Sequence, residues 1–204
     1  MKRLAKKVAV IGSTIVLIGY LSNVLLTDRY NWNYRLTVTL QTPDGPVTRS
    51  TVKNVRAFFR DYTVMGNEVS DDVYGEALVL PLSDTSAVFV LHRGSGVYWV
   101  AQALDGVPSG NKEMLRKLGQ MSWSVWFPWL QQDFDISPDK LPRMALLRDT
   151  SDPTSFERLS FETIQEILGN DYSVSSAEIS FTTDPVSLSR AIRGNLSGDI
   201  SKSC

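Results

Sequence analysis

The sequence predicts an α+β protein, in which an N-terminal transmembrane helix precedes one domain with an antiparallel sheet and a few helices. Two observations support this prediction. Residues 8–26 form an uncharged apolar run, and the remainder shows strand-like alternation first and helical periodicity later. With 204 residues, 43% of them hydrophobic and 21% charged, the chain suits one globular domain plus a short extra segment.

The N-terminus predicts a membrane anchor. Segment 1–7 holds four Lys or Arg side chains, and the 19 residues of 8–26 hold none. As a helix, such a run spans about 28 Å, close to the hydrocarbon thickness of a bilayer. Because the basic side chains precede the apolar run, the positive-inside rule places 1–7 in the cytoplasm and the domain in the periplasm. The predicted location is the inner membrane, with a single pass.

A cleaved secretory signal is the main alternative to an anchor, because it shares the basic start. It needs a shorter apolar core and a small-residue cleavage site. No Ala-x-Ala-like site lies near Ser22 or Thr27, which favours the uncleaved anchor over the signal. Tyr30, Trp32 and Tyr34 follow the apolar run, where an interfacial aromatic belt is expected.

Strands are predicted in the first part of the body. Segment 34–41 alternates apolar and polar residues, Pro-Asp-Gly-Pro at 43–46 is typical of a turn, and 47–59 can return as a partner strand. Three further β-rich runs extend this hairpin into an antiparallel meander: 74–82, 86–93 and 97–104. A later run, 174–181, is predicted to return to the sheet.

Three helices are predicted after Pro108, each from an apolar stripe at helical spacing. They are 111–121, capped by Ser109 or Asn111; 161–168, capped by Ser160 and ended by Gly169; and 186–193, opened by Asp184 and Pro185. No repeat or low-complexity linker divides the body. We therefore expect one exported α+β domain over 30–195, followed by a flexible tail, 196–204, that ends in the single cysteine, Cys204.

Four stretches together resemble a known family: 34-YRLTVTLQTPDG-45, 75-GEALVLPL-82, 148-RDTSDPTSFERL-159 and 178-EISFTTDPVS-187. The family consists of uncharacterised bacterial membrane-anchored proteins, mostly from alphaproteobacteria. The resemblance implies an anchored envelope domain and assigns no catalytic residue. Segment 190–204 departs from that family, because it lacks a Pro-Trp ending.

No catalytic residue, cofactor site or metal site is predicted. His92 is the only histidine, and Ser95 follows it in a Gly-Ser-Gly context that does not fit a nucleophile elbow and predicts a hairpin turn. One histidine and one terminal cysteine are too few for a zinc site. Asp133, Asp135 and Ser137 match the first ligand positions of a calcium loop, but Pro138 stands where such a loop needs glycine and Met144 where it needs a bidentate glutamate.

Three tryptophans, Trp123, Trp126 and Trp129, fall within seven residues. Pro128 should end any helix there, because proline cannot donate a hydrogen bond and disfavours helical backbone before it. In the first interpretation most of these rings close the open face of the sheet as core. In the second, a partner-binding surface forms, which consists of Phe127, Trp129, Asp133 and Asp135.

The function predicted from these features is non-catalytic: a protein-interaction or structural module of the cell envelope. After segment 1–7 the chain carries 17 basic against 22 acidic side chains, which disfavours a nucleic-acid partner. Two alternatives stay open. One is an exported hydrolase of cell-wall material that uses carboxylates such as Glu68, Asp71, Asp72 or Glu76. The other is a small-ligand or lipid-binding domain with an apolar cavity.

Overall fold

A computed structural model of the chain describes residues 27–62, 66–91, 95–127, 132–137, 140–152 and 154–188, together with Thr14. Among these residues, no helix is long and apolar enough to cross a membrane. Apart from Thr14, the predicted anchor 8–26 lies outside the described residues, as does the tail 196–204. The predictions for both segments therefore stay predictions.

The larger of two antiparallel sheets has five strands in the order β3-β2-β1-β9-β6. Its strands are β1 (Thr27–Thr42), β2 (Gly45–Tyr62), β3 (Gly66–Tyr74), β6 (Asp133–Asp135) and β9 (Ser173–Thr182). The predicted strands 34–41, 47–59 and 174–181 are confirmed as parts of β1, β2 and β9. The sequence did not predict β3, whose residues are mostly polar.

The smaller sheet has four strands in the order β4-β5-β7-β8. They are β4 (Leu78–Pro81), β5 (Ala87–Val90), β7 (Met144–Leu147) and β8 (Phe156–Leu159). The runs 74–82 and 86–93 thus contain the predicted strands β4 and β5, but these strands form a second sheet instead of extending the first. The α+β class with antiparallel sheets is confirmed.

The β1–β2 hairpin has the turn that the sequence predicts. The two strands pair without a break from Thr27 opposite Arg60 to Thr42 opposite Gly45. Gly45 has φ +113°, a backbone conformation that favours glycine, and the Thr42 hydroxyl donates a hydrogen bond to the Gly45 carbonyl at 2.7 Å. This turn fixes the register of the whole hairpin.

The helices are α1 (Gly96–Ala103), α2 (Asn111–Trp123) and α3 (Ile164–Leu168), and a 3₁₀ turn, Ser124–Trp126, follows α2. The predicted helix 111–121 is confirmed as α2. Its N-cap is Gly110, with no side-chain cap, so neither Ser109 nor Asn111 caps it. The Asn111 side chain instead accepts a hydrogen bond from the Tyr98 hydroxyl.

The prediction of a strand at 97–104 is wrong, because this segment forms α1. Val97, Val100 and Ala103 are buried at helical spacing, whereas the two valines and the aromatic Tyr98 and Trp99 favour a strand locally. The predicted Gly-Ser-Gly turn is also wrong. Ser95 is the N-cap of α1 and accepts a hydrogen bond from the Tyr98 amide at 3.4 Å.

Two other helix predictions need correction. The helix expected at 161–168 begins only at Ile164, because Ser160 and Thr163 form a turn through their hydroxyls; Gly169 ends it as predicted. The helix expected at 186–193 is absent from its described part, 186–188. There the Ser187 amide donates to the Val52 carbonyl at 3.0 Å, so the chain lies against β2.

One hydrophobic core joins both sheets to the helices. From β1 it takes the even-numbered residues, among them Tyr34, Leu36 and Val38, as the alternation predicts. Met114, Leu115 and Leu118, on the buried face of α2, belong to the same core. The burial of Trp32 and Tyr34 in this core is at odds with the aromatic belt that the sequence suggested for them.

The contrast between Ser95 and Ser109 tests the capping assignment. We expect Ser95→Ala to lower the free energy of unfolding by about 1 kcal/mol, because it removes the N-cap acceptor. Ser109→Ala is the matched control and should change it by less than about 0.5 kcal/mol, as an exposed serine that caps nothing. Urea unfolding followed by circular dichroism measures both. Equal losses in the two variants would contradict the assignment.

Candidate functional site

The aromatic run lies where α2 ends. The helix stops at Trp123, the 3₁₀ turn continues to Trp126, and Phe127 has extended backbone (φ −126°, ψ 95°). The predicted break before Pro128 is therefore confirmed. Trp123 and Trp126 are 69% and 70% exposed, so the interpretation that places them in the core is wrong. Trp123 follows the buried Leu118 by five positions, which puts it roughly 140° away around the helix.

A surface cleft of about 280 Å³ opens beside these two rings. It lies where β9 ends, since Thr182 is the last residue of β9 and pairs with Asn33 of β1. The cleft is lined by Asn31, Trp32, Asn33, Asn54, Ser122, Trp123, Val125, Trp126, Thr182 and Thr183. We call this set the aromatic–amide cleft.

Three asparagines of the cleft form one hydrogen-bonded group. The Asn54 side-chain amide donates to the side-chain oxygens of Asn31 at 2.6 Å and Asn33 at 2.7 Å. Asn33 in turn donates to the main-chain oxygen of Asp184 at 2.8 Å. These bonds hold the side chains in fixed positions and, within the described structure, leave Asn31 Nδ2 and Asn54 Oδ1 for a ligand.

The chemistry of the cleft suits a neutral ligand. None of its described lining residues has an ionisable side chain. Asp184, which follows the lining residue Thr183, forms an ion pair with Arg35. Amides and hydroxyls can donate and accept hydrogen bonds, while the tryptophan rings offer large apolar faces. The cleft is therefore suited to binding a group with both properties, such as a peptide backbone with uncharged side chains.

The four residues predicted to bind a partner are placed only in part. Phe127 is exposed at the end of the 3₁₀ turn, and Trp129 lies outside the described residues. Asp133 and Asp135 are exposed on β6. Between them, Phe134 packs edge-on against Phe181. Neither aspartate lines the cleft, because both lie on β6, which pairs with β9 at Glu178 to Ser180.

The asparagines are the part of the site that sequence reasoning missed. Asn31 and Asn33 occupy the outward-facing positions of β1, where polar residues are ordinary, and Asn54 lies on the opposite strand. A signal was present, because the turn at 43–46 fixes the pairing of Asn33 with Asn54. The position of Trp126 beside the asparagines depends on how α2 packs on the sheet, and the pairing of β1 with β2 does not determine that packing.

A second, partly buried polar group joins β3 to the start of α1 and is structural. Asp71 of β3 accepts hydrogen bonds from the Ser95 hydroxyl at 2.5 Å and the Val97 amide at 3.1 Å, and so secures the start of α1. Burial, reinforced by the charge of Asp71, raises the pKa of Tyr34 above its usual value. Burial also lowers the pKa of Lys53, which lies opposite Tyr34. His92 lies outside the described residues.

The carboxylates on β3 that were considered for hydrolysis, Glu68, Asp71 and Asp72, do not face one another. Asp71 and Asp72 are neighbours on β3, so their side chains point to opposite faces of the sheet. Glu68 and Asp72 share a face but lie four residues apart, about 13 Å along a strand, beyond the separations used in glycoside hydrolysis. Among the described residues, no group of three His, Cys, Asp or Glu could hold a metal ion.

Comparisons of the chain with protein families, with curated proteins and with solved structures find no match. The family resemblance drawn from the sequence therefore stays a prediction. The site has to be interpreted from its own geometry.

Substitution of three tryptophans tests whether the cleft rings are surface groups. We expect Trp126→Ala and Trp123→Ala to change the free energy of unfolding by less than about 0.5 kcal/mol, because both rings are largely exposed. Trp32→Ala, at a residue only 5% exposed, should cost about 3–5 kcal/mol. Chemical unfolding measures all three. A loss at Trp126 as large as that at Trp32 would show that the ring is core.

Proposed function

We propose that the protein is a single-pass, membrane-anchored module of the bacterial envelope whose exported domain binds another protein and catalyses no reaction. The observation that carries the proposal is the aromatic–amide cleft, where the exposed Trp123 and Trp126 flank a fixed group of asparagines. Exposed aromatic clusters on soluble domains mark interaction surfaces, and tryptophan is enriched among residues that dominate binding energy.

The anchoring part of the proposal rests on the sequence. Basic segment 1–7 and apolar segment 8–26 fit a helix that crosses the inner membrane with its N-terminus in the cytoplasm. The resemblance to anchored alphaproteobacterial proteins supports the same location. The domain is then periplasmic, and its partner is an envelope protein.

The cleft supports an extended segment as the part of the partner that binds. β2 pairs with β1 from Thr27 onward, whereas β9 pairs with β1 only from Asn33 to Gln41. Residues 27–32 therefore have a described partner strand on one side only. A strand edge of this kind offers main-chain donors and acceptors to an added strand, which is a common mode of peptide recognition.

The lining also selects among segments. Because its described residues carry no charge, a charged side chain brought into the cleft would lose hydration without gaining an ion pair. We therefore propose an uncharged segment whose amides bond to Asn31 and Asn54 and whose apolar side chains contact the two tryptophan rings. The asparagine side chains can make such bonds in either direction.

The proposal that the domain catalyses no reaction is supported by the structural role of Ser95 and Asp71. Ser95 caps α1 and its hydroxyl donates a hydrogen bond to Asp71, so both side chains hold the helix start. A nucleophile needs a positioned base and an orienting group, and this pair serves a structural bond instead.

Photo-crosslinking in intact cells tests the proposal. A benzophenone amino acid replaces Trp126 in one full-length variant and Phe156 in the control, since Phe156 is also exposed but lies on β8. We expect an adduct with one envelope protein from position 126 only, and peptide mapping should place it on an extended, uncharged segment. In binding assays with that protein, Trp126→Ala should weaken affinity by about 30-fold, as expected of a dominant contact.

The same assays define failure. Asn54→Leu should lower the yield of the adduct, because it removes the amide that bridges Asn31 and Asn33. Phe156→Ala should leave affinity unchanged within about twofold. An adduct with a cytoplasmic protein would contradict the export of the domain. Equal adducts from positions 126 and 156 would contradict the cleft as the binding site.

A further inference from the structure

We infer that a second surface, formed by Arg29, Tyr30, Arg116, Gln120 and Trp123, rests on the bilayer and fixes how the domain stands on the membrane. We call it the anchor-proximal surface. The inference depends on the anchoring proposed above and extends it, because it names the face that contacts lipid. These residues line a shallow pocket of about 550 Å³, together with Gly119.

Chain length restricts where this surface can lie. The apolar segment ends at Leu26, and β1 begins at the next residue, Thr27. A fully extended chain advances at most about 3.6 Å per residue, so the Cα atom of Tyr30 lies within about 14 Å of that of Leu26. The polar region of each leaflet is roughly 5–8 Å deep. Tyr30 therefore sits in the headgroup layer or directly above it.

Packing brings α2 to the same place. Gly119 approaches Tyr30 so closely that a Cβ atom there would lie 3.2 Å from the tyrosine ring. This close approach sets the last turn of α2, and with it Gln120 and Trp123, beside the start of β1. Trp123 is 69% exposed there, so its outer side can contact the headgroup region without disturbing the core.

The residue types match a membrane interface. Tryptophan and tyrosine concentrate at the level of the headgroups, and arginine can place its apolar stem along lipid while its charge stays in water. The two arginines have acidic neighbours, since Arg116 pairs with Glu113 at 2.7 Å and Asp28 lies next to Arg29. The charges nearly balance, so the contact should depend on the aromatic rings and little on anionic lipid.

One consequence concerns the cleft. Trp123 lines both the aromatic–amide cleft and the anchor-proximal surface, so the two lie side by side. A domain that rests on this surface presents the cleft next to the headgroups. The partner segment is then bound close to the membrane.

Fluorescence quenching by lipid tests the inference on the full chain. Cys204 is replaced by Ser, and an environment-sensitive dye is attached at Gln120→Cys or, as the control, at Asp44→Cys. Asp44 lies in the turn after β1, roughly 50 Å from Thr27 along the strand. The variants are reconstituted into phosphatidylcholine vesicles with brominated acyl chains, with and without phosphatidylglycerol. An alkaline carbonate wash measures anchoring separately.

We expect the dye at position 120 to be quenched and blue-shifted in both lipid mixtures, and the dye at position 44 to be unchanged. Adding Trp123→Ala should reduce quenching at position 120 to less than about half, while the protein still resists carbonate. Intrinsic fluorescence gives a check without a dye. Trp123→Phe should remove part of the emission that brominated lipid quenches, and Trp99→Phe, at a ring packed against Tyr34, should not.

The failures of the two proposals differ. Protein that carbonate removes would overturn the anchoring and this inference together. Protein that resists carbonate but shows no quenching at position 120 would leave the anchoring intact and overturn the inference alone. Quenching that requires phosphatidylglycerol and disappears at high salt would contradict a contact made by the aromatic rings.

Discussion

The pairing of β1 with β2 along their whole length is the constraint on which both the core and the cleft depend. The two strands leave only Pro43 and Asp44 between them, so every residue of β1 has a fixed opposite. Tyr34 then lies opposite Lys53 and Asn33 opposite Asn54. A slip by one residue would turn Leu36 and its even-numbered neighbours to the solvent, so the hydrophobic pattern and the turn enforce the same register.

The cleft arises because the two neighbours of β1 differ in extent. β2 accompanies β1 to Thr27, whereas β9 stops at the level of Asn33. This difference in length, which we call the step, leaves one side of residues 27–32 of β1 without a described strand. The end of α2 lies beside these residues. Helix and sheet meet there because Gly119 admits the ring of Tyr30. The exposed tryptophans therefore follow from where α2 must end, and their place beside the asparagines follows from the step.

The strands and helices that depend mainly on their own residues were mostly predicted correctly from the sequence. The alternation at 34–41 gave β1, the turn at 43–46 gave its register, and the stripe at 111–121 gave α2. Segment 97–104 was predicted wrongly because its residues favour a strand locally. The start of α1 is stabilised by hydrogen bonds from Ser95 and Val97 to Asp71, which lies on β3, 24 residues before Ser95 in the sequence. Tertiary packing outweighs β-propensity there.

The candidate site was predicted less well, for a related reason. The break before Pro128 is a local effect and was confirmed, but whether Trp126 faces the core depends on which side of α2 meets the sheet. The buried face of α2 holds Met114, Leu115 and Leu118, and the helix carries Trp123 away from it. Composition favours burial of aromatic rings, and only the packing of the helix shows that these two rings are exposed.

Amide hydrogen exchange followed by NMR on β1 tests most directly whether the step at the end of β9 forms the cleft. In the stretch from Tyr34 to Val38, which has regularly paired strands on both sides, successive amides should be protected alike. From Asp28 to Trp32, every second amide should exchange at least about 100-fold faster than its neighbours, because only those that point to β2 are bonded. Uniform protection from Asp28 to Val38 would contradict the account, since it would mean that another strand already occupies the open edge.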